Sequence, residues 1–352
     1  MHVKKRRQRV AVAASAITAF GIAVALPGQA TADQTRTASA AVDNHTLFVR
    51  GTNSSDNIEV GVGSNPGTLE VAFGQNSAPL VFDRADFSSI AVLLGAGDDH
   101  FTVATRGGDI TEPMFVDGGN GDDTITGGAG NDIIAGGNGD DTILGGAGSD
   151  VIFGGSGNDT VDGGRGTDTE ILGRGDDVAA WDPGEGNDAI SGGRGHDTLV
   201  FNGSNGDEKF DVSANGAGAV LTRDVGTIRM DLSGVEGLNL ATLGGSDQVT
   251  LHDLRGTGLT QADIDLSLAG TGDDQSDTVV VDGTDGPDHV DVSGDGSAVN
   301  VSGLAVSTRV TGTEGFDTLQ VNTGAGNDSV HVDNSVAKLI GVTVDLGSGQ
   351  IL

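Results

Sequence analysis

From Gly118 onward the chain repeats every nine residues, and that period decides what it can fold into. The units read GGNGDDTIT from Gly118, GGAGNDIIA from Gly127, GGNGDDTIL from Gly136, GGAGSDVIF from Gly145 and GGSGNDTVD from Gly154. Two weaker units follow, GGRGTDTEI from Gly163 and LGRGDDVAA from Leu172. Trp181-Asp182 is a two-residue insertion, after which the frame resumes with PGEGNDAIS from Pro183 and GGRGHDTLV from Gly192. Within a unit the first six residues are expected to form a turn. Its glycines permit backbone angles that a Cβ disfavours and let neighbouring backbones approach closely. Positions seven to nine are expected to form a short strand with the middle residue inward. That inward set is Ile125, Ile134, Ile143, Ile152, Val161, Glu170, Ala179, Ile190 and Leu199. One aliphatic residue in nine cannot bury a face alone, but stacked coils can, so a solenoid is implied.

Position six is aspartate in all nine units: Asp123, Asp132, Asp141, Asp150, Asp159, Asp168, Asp177, Asp188 and Asp197. If two units make one coil, Asp123, Asp141 and Asp159 fall in one column and Asp132, Asp150 and Asp168 in another. Carboxylates stacked at the ~4.8 Å strand spacing repel unless a cation sits between them. Carboxylates and turn carbonyls together make a flexible, all-oxygen cage. Such a cage suits Ca²⁺ better than Mg²⁺, which demands a tight octahedron. The nine aspartates are therefore the candidate metal ligands. Asp or Asn at position five (Asp122, Asn131, Asp140, Asn158, Asp176, Asn187) is expected to support them.

These units resemble the glycine-rich nonapeptide GGxGxDxUx of the RTX (repeats-in-toxin) calcium-binding β-roll family, over residues 118–200. The resemblance implies a parallel β-roll, with Ca²⁺ held between successive turns by the position-six aspartates and turn carbonyls. The units from Gly163 and Leu172 depart from the pattern, with Glu170 and Ala179 inward, so a defective coil is expected there. The runs Trp181-Asp182-Pro183-Gly184, Phe201-Asn202-Gly203, Arg223-Asp224-Val225 and Met230 to Glu236 are similar to the C-terminal region of predicted secreted calcium-binding proteins of bacteria. That similarity implies architecture and no activity.

The flanks carry weaker versions of the same pattern. Leu47-Phe48-Val49, Ile58-Glu59-Val60, Leu69-Glu70-Val71 and Ile90 to Leu94 read as strands. Aspartate followed two residues later by an apolar residue recurs at Asp56, Asp99, Asp247, Asp277, Asp288, Asp317 and Asp328. A lone turn aspartate ordinarily caps its own turn. The expected organisation is a secretory signal over residues 1–32, an irregular β region over 33–117, the roll over 118–200 and a degenerate β-repeat region over 201–352. The flanks are expected to be irregular β-solenoid or sandwich. The signal rests on Lys4, Lys5, Arg6, Arg7 and Arg9, an uncharged stretch from Val10 to Leu26, and the small-residue site Ala30-Thr31-Ala32. The residues from Val342 to Gly349 resemble the start of another repeat.

Composition narrows the function. With 18 basic against 51 acidic residues the net charge is −33, which repels nucleic acid and anionic lipid. Cysteine is absent, so disulfides and Cys-ligated zinc are excluded. Aromatic residues make up 3% of the chain, too few for a sugar-stacking cleft or a deep core. The sequence holds no His-Glu-x-x-His, Gly-x-Ser-x-Gly or phosphate-loop motif. His45, His100, His196, His252, His289 and His331 are scattered singly, without ligand spacing, and read as surface residues. The expected protein is an exported, all-β, non-enzymatic calcium-binding protein that folds on the ion, without membrane insertion after signal cleavage. One alternative is an adhesin that uses the roll as a spacer. The other is a polysaccharide-acting enzyme, which would need clustered carboxylates outside the position-six columns and a displaced pKa.

Overall fold

The computed structural model describes residues 37–74 and 77–347. The expected signal lies outside the described residues. The chain divides into two compact units, residues 1–161 and 162–352. In both, strands make up the described structure, joined by turns and a few single-turn 3-10 segments. The expected parallel β-roll solenoid is the architecture found.

In the first unit, consecutive turns send the chain alternately into two sheets. Met114–Asn120, Ile133–Asn138 and Val151–Ser156 pair in parallel in one sheet, with Ile133 opposite both Phe115 and Val151. His100–Ala104, Thr124–Thr126 and Thr142–Gly148 pair in parallel in the other. Two units therefore complete one coil. Ile125, Ile134, Ile143, Ile152 and Val161 all point inward and are at most 1% exposed. Each such side chain contributes about 1.5–3 kcal/mol of burial, so the narrow core draws its stability from repetition. Upstream, Thr46–Arg50 and Asn57–Val62 begin the same two parallel ladders. Antiparallel strands Ser39–Asp43, Thr68–Phe73 and Leu80–Asp83 add to them as hairpins. The strands expected around Leu47, Ile58, Leu69 and Ile90 are all present.

The strands are longer than the three residues expected. Only Thr124–Thr126 has that length among those named here; Ile133–Asn138 and Val151–Ser156 continue through the first three residues of the following unit. The reason is backbone pairing. Gly137 lies opposite Gly119 and Gly155, and Asn138 opposite Asn120 and Ser156, so the glycine pair is ladder rather than turn.

In the second unit the coil grows. Thr169–Arg174 pairs with Ala189–Arg194, bringing Glu170 opposite Ile190, an offset of twenty residues that absorbs the insertion at Trp181-Asp182. The coil expected to be defective keeps its pairing and buries Glu170 at 1% exposure. Trp181 turns inward and stacks on Phe201, with ring centroids 4.2 Å apart and planes 3° from parallel. Beyond Ser204, hairpins are inserted into the coils. Lys209–Asn215, Gly218–Arg223 and Ile228–Ser233 run antiparallel in one sheet. His289–Gly294, Ala298–Ser302 and Ser307–Thr311 do so in the other. The parallel ladders resume after each insertion, as in Gln248–Leu251 beside Thr278–Thr284 and Thr318–Gly324. The irregular spacing of the downstream aspartates thus comes from the inserted hairpins and, between Asp247 and Asp277, from the loops around Gln261–Asp265.

Close stacking fixes the glycines. Gly137 and Gly139 have φ of +122° and +128°, and a Cβ on either would collide with the carbonyl of Gly119 or Gly121 in the coil below. Gly184, at φ +112°, has nothing within 4 Å of its Cβ position. Both Gly137→Ala and Gly184→Ala carry the ~1–2 kcal/mol penalty of a left-handed backbone. Gly137→Ala is expected to cost at least about 1 kcal/mol more, because backbone must also move. Urea midpoints of the two variants at fixed solution conditions measure the difference.

Candidate metal centre

All nine position-six aspartates are buried, none more than 4% exposed. In the first unit, the Asp123 N–H donates to Asp141 Oδ1 at 2.8 Å, and the Asp141 N–H to Asp159 Oδ1 at 2.9 Å. The second column repeats this, with the Asp132 N–H donating to Asp150 Oδ1 at 2.8 Å. In the second unit the Asp168 N–H donates to Asp188 Oδ1, and the Asp177 N–H to Asp197 Oδ1, at 2.7 and 3.1 Å. One oxygen of each accepting carboxylate therefore caps the preceding coil. The position-five residues point the other way and are exposed. Asp122 Oδ1 accepts from the Asp140 N–H at 2.8 Å, and Asn131 Oδ1 from the Ser149 N–H at 2.9 Å.

The second oxygen is the informative one. Among the described residues, Oδ2 of Asp99, Asp123, Asp141 and Asp197 is buried without a hydrogen-bond partner. Desolvation, with neighbouring carboxylates adding to it, raises Asp99, Asp141 and Asp247 to about 7 and Asp123 and Asp197 to about 6. The position-one glycines Gly118, Gly136 and Gly192 leave room beside this atom in Asp123, Asp141 and Asp197. A Cβ on Gly136 would run into Asp141 Oδ2 and, at 2.8 Å, into the carbonyl oxygen of Gly154. Gly118 relates in the same way to Asp123 Oδ2 and the Gly136 carbonyl. A small space lined by an unpaired carboxylate oxygen and a carbonyl oxygen is chemically suited to a hard cation. Asp132 differs: Met114 and Gly128 donate to both its oxygens, at 2.8 and 3.0 Å.

A family model for the RTX calcium-binding nonapeptide repeat matches residues 115–143, 136–170, 144–179 and 184–208. These are RTX calcium-binding repeats. Ca²⁺ is thus the cation whose chemistry the turns fit. No curated protein matches the chain.

The last RTX match ends at Glu208, beyond the expected end of the roll at residue 200. The turn Gly203 to Glu208 was missed in the sequence because serine replaces the second glycine and glutamate the aspartate. The Glu208 N–H donates to Asp247 Oδ1 at 2.9 Å, so the glutamate stands in a position-six column. The flank aspartates do too. The Asp56 N–H donates to Asp99 Oδ1, the Asp99 N–H to Asp123 Oδ1, the Asp247 N–H to Asp277 Oδ1, and the Asp288 N–H to Asp328 Oδ1, at 2.7–2.9 Å. Several flank turns supply their own donor to the second oxygen. Thr284 N–H reaches Asp288 Oδ2 at 2.7 Å, Thr323 Oγ1 reaches Asp328 Oδ2 at 3.0 Å, and Thr52 N–H reaches Asp56 Oδ2 at 2.6 Å. The legible signal is Ser or Thr at position one or two of a six-residue turn that ends in the acid.

Two further groups lie outside the columns, both in the second unit. Asp162, Asp182 and Glu185 bring carboxylate oxygens within 4.8 Å of one another, and burial first, then the neighbouring carboxylates, raise Glu185 to about 8. His252, expected to be an unremarkable surface residue, bridges Asp211 and Asp282 at 2.7 Å from each ring nitrogen. Burial opposes its protonation, but the two carboxylates outweigh it and raise its pKa.

The raised carboxylates set a pH dependence. Without metal, the folded chain holds protons between about pH 4 and 7 that the unfolded chain, with ordinary carboxylates near 3.9, has released. Stability of the metal-free protein therefore falls as pH rises through that window. Calcium displaces those protons, so its affinity rises through the same window. Thermal melts in EDTA from pH 4.5 to 8, paired with calcium titrations, are expected to show the two opposed trends. A metal-free stability that rises with pH would contradict the assignment.

Proposed function

We propose that the protein is exported and that its position-six carboxylates hold Ca²⁺ between successive coils, the ions completing the fold of the roll. The supporting observation is the recurrent buried Oδ2, without a partner, beside a position-one glycine and a carbonyl of the next coil. The proposed ligands are Asp123, Asp132, Asp141, Asp150 and Asp159 in the first unit and Asp168, Asp177, Asp188 and Asp197 in the second. Asp132, both of whose oxygens accept N–H groups, lacks the open oxygen seen at Asp123 and Asp141. Asp99 extends the set, since it carries the same buried, partnerless oxygen outside the nine units. The ions take the place that disulfides hold in other extracellular proteins, in a chain without cysteine. Export follows from the basic, apolar and small-residue succession up to Ala32. The role is structural calcium binding rather than catalysis.

Circular dichroism of residues 33–352, titrated with Ca²⁺ from an EDTA-treated start and with Mg²⁺ as control, tests the reading. A gain of β signal with Ca²⁺ and not Mg²⁺ is expected. A β-rich spectrum indifferent to Ca²⁺ would overturn the folding claim. Asp141→Asn keeps the Oδ1 cap and removes the charge. It is expected to weaken calcium binding at its level at least about tenfold, the lower bound for disturbing a metal's outer partners, by isothermal titration calorimetry.

A further inference from the structure

The turn from Gly203 to Glu208 is built like a calcium turn but holds a different cation. Glu208 is 1% exposed, and its N–H caps onto Asp247 as in the repeats. The space over Gly203 has the same oxygen lining: a Cβ there would meet Glu208 Oε2 at 2.7 Å and the Thr242 carbonyl oxygen at 2.8 Å. Here, however, both carboxylate oxygens are taken. Arg223 donates to Glu208 Oε1 through Nε at 2.7 Å and through Nη2. Ser204 donates to Oε1 through its hydroxyl and to Oε2 through its N–H, both at 2.8 Å. Arg223 is itself 5% exposed, and its guanidinium lies 5.5 Å over the Trp181 ring, which stacks on Phe201.

We propose that the Arg223 guanidinium is a built-in replacement for the calcium ion at the Glu208 turn, so that this turn takes no calcium and its coil stays folded when calcium is removed. The proposal rests on the reading that the repeats fold on Ca²⁺. The chemistry of the side chain suits the role. A guanidinium keeps its charge when buried, offers a planar fork of donors, and gains from an aromatic face. The fold delivers it: the hairpin Lys209–Asn215 and Gly218–Arg223 starts directly after Glu208, and Arg223 pairs opposite Phe210 at its open end. The added hairpin brings a cation of the chain's own to the buried carboxylate, on Oε1, while the Ser204 N–H takes the Oε2 that faces Gly203. Serine at position two completes the exchange, because its hydroxyl adds a donor that glycine lacks.

The test is hydrogen exchange of the full chain in EDTA and in Ca²⁺, with bound calcium counted by native mass spectrometry. In the wild type, Lys209–Arg223 is expected to keep its protection in EDTA to within about threefold, while residues 124–156 lose at least about a hundredfold. Arg223→Met leaves the buried carboxylate without its cation. In that variant the hairpin's protection should become calcium-dependent and one additional Ca²⁺ should bind. The double variant Glu208→Gln with Arg223→Met removes both charges, and should restore protection in EDTA without the additional ion. Loss of hairpin protection in wild-type EDTA samples would overturn the proposal. So would an Arg223→Met protein that keeps EDTA protection and binds no further calcium. If residues 124–156 stay protected in EDTA, the calcium-folding reading fails instead, and the calcium count of Arg223→Met still decides the role of Arg223.

Discussion

Every coil of this protein buries a carboxylate, and each buried carboxylate has to be neutralised. In the repeat columns one oxygen accepts the backbone N–H of the equivalent residue a coil earlier, as Asp141 does from Asp123. That hydrogen bond sets the register of the stack and forces the acids into line. It also brings like charges together in a desolvated place, where an unsatisfied ionised oxygen is costly. The second oxygen must therefore find a proton, a cation or a donor. The differences between the repeats and the flanks follow from which of these it finds.

Where glycine stands at position one, nothing in the unit itself reaches the second oxygen of Asp123 or Asp141, and a small oxygen-lined space remains. Such turns are short, near-identical and easily repeated, and on the proposed function they draw on an ion from solution. Where threonine or serine stands at position two, as at Thr284 and Ser204, its N–H and hydroxyl reach the acid and the turn meets the need locally. The C-terminal part of the chain thus keeps the geometry of the roll while its chemistry shifts to internal partners. At Glu208 a further partner, Arg223, comes from the inserted hairpin Lys209–Asn215 with Gly218–Arg223, which also lengthens the coil.

The solenoid, its two-unit coil, the inward residues and the pairing of Asp123 with Asp141 were legible because a fixed nine-residue period projects directly onto the stack. The flank turns were not. Glu208, Asp247, Asp288 and Asp328 hold the same place in the columns, but hairpins of varying length separate them, and no linear period survives such insertions. Their turns also lack one of the paired glycines, for the physical reason that a hydroxyl or backbone donor has replaced the ion. The bridging of Asp211 and Asp282 by His252 was equally hidden, because it joins residues forty-one and thirty positions away. The three-residue strands expected from the repeat were too short, because Gly137 and its equivalents pair as ladder.

Glu170 shows how far the requirement reaches. It occupies the inward position that Ile125 and Ile134 fill elsewhere, and it keeps its strand register opposite Ile190. Among the described residues its Oε2 has no hydrogen-bond partner, and burial, with Asp188 and Asp168 nearby, pushes its carboxyl well above the ordinary range. A hydrophobic interior would normally reject such a residue. Its Oε1 lies 2.9 Å from where a Cβ of Gly163 would stand, on the same side as Asp168 Oδ2. The carboxyl therefore faces the turn rather than the aliphatic column. The coil tolerates an acid there because the neighbouring turn is already organised around neutralising acids, so the constraint that orders the outer columns also decides what the core can contain.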